Sequence, residues 1–101
     1  MAQFDVYKNP SKKTSKKIPY LLEIQNNLHS RLYTRLVVPL VLDAKPVRHM
    51  TPVFEIEGKT VVMHTMDMTS VMKDVLSVKV TNIEAHRTEI VDALDFLVNG
   101  F

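Results

Sequence analysis

The sequence has no cysteine, only two glycines (Gly58 and Gly100), and no apolar run longer than residues 36–42. Without cysteine there is neither a disulfide framework nor a thiolate metal site, and a reducing cytoplasm suits the chain. Two isolated glycines exclude the phosphate-cradling loops of the Walker and dinucleotide types. The apolar run is far too short to span a bilayer, and no charged start followed by an apolar segment marks a signal peptide. The expectation is a soluble, cytoplasmic protein. Its 101 residues read as one domain, residues 1–101, able to bury a single core without staples.

Catalytic patterns are equally scarce. His29, His49, His64 and His86 form neither HExxH nor any close i,i+4 pair. Ser11, Ser15, Ser30, Ser70 and Ser77 lack the context of a nucleophile elbow. His64 reads as a surface or hydrogen-bonded residue of a strand. Met63, Met66, Met68 and Met72 surround Asp67 and read as core filler, with Asp67 capping a turn. Carboxylates pair only as Asp92 and Asp95, one helical turn apart. The residues point to no enzyme, no cofactor and no metal.

Charge is present but unevenly placed. Net charge is +2, yet Lys8, Lys12, Lys13, Lys16 and Lys17 all fall within residues 8–17, leaving eight basic against eleven acidic residues elsewhere. This segment reads as a loop, either a solvated hairpin tip or a landing site for an acidic segment or nucleic acid. No aromatics interleave the lysines, which disfavours single-stranded nucleic acid.

Hydrophobic alternation predicts strands over Gln3–Tyr7, Ile18–Gln25, Arg35–Leu42, Pro52–Ile56, Thr60–Met66 and Val75–Val80. Pro39 demands an edge, a bulge or a missing ladder bond. Glu57-Gly58-Lys59 predicts a hairpin. Asp43–Thr51 reads as a loop, and the pattern from Met68 to about Asp74 is irregular.

The last stretch, Thr81–Phe101, predicts an amphipathic helix opened by a capping box of Thr81 and Glu84. Ile83, Ile90, Leu94, Leu97 and Phe101 form its stripe, with Val91 and Val98 on one flank. Asp92 and Asp95 oppose the helix dipole, and Phe96 lies among polar positions. Short strands followed by one helix predict a small, mostly antiparallel barrel or sheet capped by that helix.

Several segments in order then carry a resemblance: Arg35-Leu36-Val37-Val38-Pro39-Leu40, Pro52-Val53, the run Met63, Thr65, Asp67, Met68, Ser70 and Val71, then His86-Arg87 and the terminal Gly100. In order and spacing they resemble the CcdB family of bacterial toxins over nearly the whole chain, with length differences in the lysine loop and in Asp43–Thr51. The resemblance implies an SH3-like barrel of the CcdB/Kid/MazF kind, mostly β with a C-terminal α-helix and homodimeric. It implies a toxin of a type II toxin–antitoxin system, of the sort that serves plasmid maintenance. Such a toxin binds the A subunit of DNA gyrase and traps the cleavage complex. A CcdA-like antitoxin with an acidic tail neutralises it, and the pair represses its own operon, touching operator DNA only as that complex.

Carried onto this chain, the gyrase-binding surface is Leu28, Asp95, Val98, Asn99, Gly100 and Phe101, and Lys8, Lys12, Lys13, Lys16 and Lys17 would meet the antitoxin. Asn99 stands where the family hallmark is aromatic. Two alternatives remain: an endoribonuclease toxin of the same barrel (MazF/Kid-type), and a non-toxic CcdB-like antitoxin partner or co-repressor.

Overall fold

The computed structural model describes residues 2–27 and 32–100. Seven strands form one antiparallel, curled half-barrel sheet: β1 Asp5–Lys8, β2 Tyr20–Glu23, β3 Thr34–Leu42, β4 Val53–Ile56, β5 Lys59–Met63, β6 Thr69–Met72 and β7 Lys79–Asn82. Among the described residues one α-helix, α1, runs from Arg87 to Asn99. The sheet order is β4-β5-β3-β2-β1-β7, with β6 paired to β3.

Strand β3 organises the sheet because its length lets it hold two partners on one side. Its end pairs with β5 through Leu40–Leu42, and its beginning with β6 through Thr34–Val37. Pro39 sits between these two ladders, and its carbonyl accepts the His64 N–H at 3.0 Å. The His64 carbonyl accepts the Asp67 N–H at 3.0 Å instead, so the missing proline N–H leaves that acceptor satisfied. The β4–β5 hairpin turns on Glu57 and Gly58, both at positive φ (52° and 77°), as the tightest hairpin turns require.

Alternation sorts the side chains. Val6, Tyr20, Leu22, Val38, Leu40, Phe54, Val61 and Met63 build the main core on one face, where Ile90 and Ala93 of α1 close it. The other face carries a smaller cluster of Tyr7, Val37 and Leu76. Arg35 and Glu23 pair there, both side chains fully buried, with Arg35 Nε donating to Glu23 Oε2 at 3.0 Å.

Several expectations are corrected. The helix begins at Arg87, not Thr81, and no capping box forms. Thr81 is instead in β7, opposite Val6 of β1, so strand pairing overrides the local helix signal. Asn82 Oδ1 accepts the Glu84 N–H at 2.8 Å and opens a short 3-10 turn, Glu84–His86, that feeds α1. The last strand lies at Lys79–Asn82 rather than Val75–Val80, since Lys73–Val75 is a 3-10 turn. Residues 69–72, read as irregular, form β6. His64 lies outside β5, in front of the 3-10 turn Thr65–Asp67, and Asp67 pairs its carboxylate with the His64 ring at 3.2 Å instead of capping a backbone N–H. Of the four methionines only Met63 is fully buried; Met66 and Met72 are exposed.

Candidate functional site

The C-terminal end of α1 was expected to carry the binding surface, and what it presents follows from which helix face the core takes. Ile90 and Ala93 are buried and Leu94 packs on the core, so Asp95, Val98 and Asn99 face outward. Val98 is 77% exposed and therefore does not widen the buried stripe. Gly100 is the left-handed terminator, with φ 77° and its N–H on the Phe96 carbonyl at 2.9 Å. Among the described residues other than its chain neighbours, nothing lies within 4 Å of where a Gly100 Cβ would sit. The helix thus ends in an open, glycine-terminated surface with an exposed valine. Leu28 and Phe101 lie outside the described residues.

The lysine segment connects β1 to β2 as an exposed loop. Asn9 shapes it: its Nδ2 donates to Thr14 Oγ1 and to the Ile18 carbonyl, both at 2.9 Å, and its Oδ1 accepts the Ser11 N–H at 3.0 Å. Lys12, Lys13, Lys16 and Lys17 are exposed on this frame, and Lys8 ends β1 opposite Tyr20. The Lys17 carbonyl accepts the Leu42 N–H at 2.8 Å, tying the loop to the end of β3.

A third feature escaped the sequence reading. The loop from Asp43 to Thr51 overhangs α1 and encloses a cleft of about 530 Å³. Thr51 holds the loop, its Oγ1 donating to the Val47 carbonyl at 3.1 Å while accepting the Val47 N–H, and Thr65 Oγ1 ties down the Met50 carbonyl. His49 adopts φ +67° and lays its ring 5.6 Å from that of Phe96. Phe96, out of place in a helical stripe, thereby acquires a partner. Asp92 and Asp95, expected to share a helix face, both line this cleft together with Glu89.

Three groups behave as structural anchors. Asp5, almost fully buried, accepts from the Ala2 N–H at 2.8 Å, Asn82 Nδ2 at 2.9 Å and the Tyr7 hydroxyl at 3.2 Å, with the Lys79 ammonium 3.2 Å away. Burial pushes its pKa up, but the bonds from Asn82 and Ala2 and the charge of Lys79 outweigh it and hold the carboxyl below its ordinary value. Tyr20 is pushed up to about 12 by burial and by its hydrogen bond to Glu57 Oε1 at 2.5 Å. Tyr7 is raised by burial and by the neighbouring Asp5 and Glu23 carboxylates. All three sit where they fasten strands.

Among the described residues, no group of three or more His, Asp or Glu side chains stands ready to hold a metal, and no helix is long and apolar enough to cross a membrane. The family model for the CcdB protein matches residues 3–100. The chain belongs to the CcdB family. That family is one of toxins from toxin–antitoxin systems, and its helix-capped β-sheet is the fold found here. No curated protein matches the sequence significantly.

Proposed function

We propose that this CcdB-family protein acts as a homodimer that binds the A subunit of DNA gyrase through the C-terminal end of α1 and traps the enzyme on cleaved DNA. A cognate acidic antitoxin would neutralise it and join it in repressing their operon. The supporting observation is the end of α1, where exposed Val98, Asn99 and an unobstructed Gly100 form a surface that the core does not use. An apolar residue so exposed at a helix end suits a contact between copies around a two-fold axis. Gly100, lacking a side chain, lets a partner approach the helix terminus closely.

Expression in cells with a sensitive gyrase tests this reading. The intact chain should arrest growth, and Gly100→Glu or removal of residues 99–101 should abolish arrest while folding and sedimentation as a dimer persist. The loss at gyrase should be about 30-fold or more in affinity, the worth of one desolvated anchor of about 2 kcal/mol. Arrest by the truncated chain would reject the tail as the weapon. Asn99, polar at the hallmark aromatic position, favours one second reading, a non-toxic partner and co-repressor; Asn99→Trp would then create gyrase binding where the native chain shows none.

A further inference from the structure

The cleft between the Asp43–Thr51 loop and α1 shares only Asp95 with the proposed gyrase surface, and its lining is of mixed but ordered chemistry. Glu89, Asp92 and Asp95 stand along the helix wall, one turn apart, and Phe96 ends that row under the His49 ring. Val47, Val53 and Ala93 supply apolar surface between the walls. Among the described residues, Arg48 alone brings a fixed positive charge to the cleft, against three carboxylates. Asp92 and Asp95 form no ion pair and no hydrogen bond with any described residue, although Arg48 lines the same space.

These features select an occupant by elimination. An anion would face three carboxylates. A purely apolar group would leave the carboxylates beside it stripped of water, at a cost of several kcal/mol for each charge so buried. A divalent ion needs a converging set of ligands, and the described residues offer no such group. A compact ammonium ion would keep its water and gain little from apolar walls. An arginine side chain meets every condition: its methylenes cover apolar surface, and its planar fork pairs with carboxylates and stacks on an aromatic ring. The cleft's volume also accommodates a side chain of that size with flanking backbone.

We propose that this cleft binds an arginine side chain presented by a protein partner, with the guanidinium held between the Asp92 and Asp95 carboxylates and the Phe96 ring. This surface borders the proposed gyrase surface at Asp95 but recognises a different chemistry, and it is opposite in sign to the lysine loop. The two would let one protein engage a basic and an acidic segment at once.

The test is titration of the isotopically labelled full-length chain with N-acetyl-arginine amide, and with the uncharged, isosteric N-acetyl-citrulline amide, followed by amide chemical shifts. The arginine derivative should perturb residues 46–53 and 89–96 selectively and bind at least about tenfold more tightly than the citrulline one. The double variant Asp92→Asn, Asp95→Asn should lose about tenfold in arginine affinity at an unchanged unfolding temperature, since both residues are exposed. Shifts scattered over the other acidic surfaces, an equal response to citrulline, or no response at all would overturn the proposal.

Discussion

Asp5 is a buried carboxylate that fastens the N-terminal turn, β1 and β7 together. Its folded pKa lies below the ordinary 3.8, so its proton is bound less tightly in the folded chain than in the unfolded one. The stability it contributes is therefore fully present above about pH 5, declines as pH falls through 3.8, and is lost below the folded value. Urea unfolding from pH 7 down to pH 2.5 should show native stability falling over that acid range. Asp5→Asn should be less stable at pH 7, by about 1–3 kcal/mol, with a flatter acid limb, because the amide cannot accept from all three donors. Two parallel curves would mean that the acid sensitivity arises elsewhere. Arg35 and Glu23 belong to the same scale of description: a fully buried pair that fixes β2 against β3 where neither could be left alone.

At the scale of elements, β7 and α1 show where the sequence was legible and where it was not. Long alternating runs such as Arg35–Leu42 and the Gly58 hairpin were readable because burial on a sheet face and positive φ each leave a local mark. The start of the helix was not, since Thr81 and Glu84 satisfy a capping rule that pairing with β1 overrides. The short, mostly exposed β6 has no pattern of its own and exists because β3 has a free side. The cleft was illegible for the same reason: His49 and Phe96 lie far apart in sequence, and only the overhanging loop brings them together. The observed start makes a clear mutational prediction. Asn82→Ala should destabilise by about 1–2 kcal/mol, losing its bonds to the Glu84 N–H, the Gln3 carbonyl and Asp5. Thr81→Ala should stay within about 0.5 kcal/mol. Thermal melts showing the reverse order would restore the capping box. For the lysine loop, whose frame is Asn9 and not the lysines, changing Lys12, Lys13, Lys16 and Lys17 to Ser should leave the melting temperature nearly unchanged. If this loop steers an acidic antitoxin tail, the same change should flatten the salt dependence of association. An unaltered salt slope would place that contact on another surface.

As a whole, the molecule divides its surface by charge around one sheet and one helix. A basic loop extends from the β1–β2 end of the sheet, while α1 offers an acidic, cleft-forming flank and an open, glycine-terminated end. None of these surfaces is consumed by the core, which is complete with the sheet face, Ile90 and Ala93. The proposal to be tested is that gyrase is bound at the end of α1. The most direct measurement is a DNA cleavage assay with purified gyrase, supercoiled plasmid and ATP, comparing the intact chain with Gly100→Glu. Protein-linked, linearised DNA should rise with the concentration of the intact chain and be absent with Gly100→Glu. Equal cleavage with both chains, or none with the intact one, would contradict it.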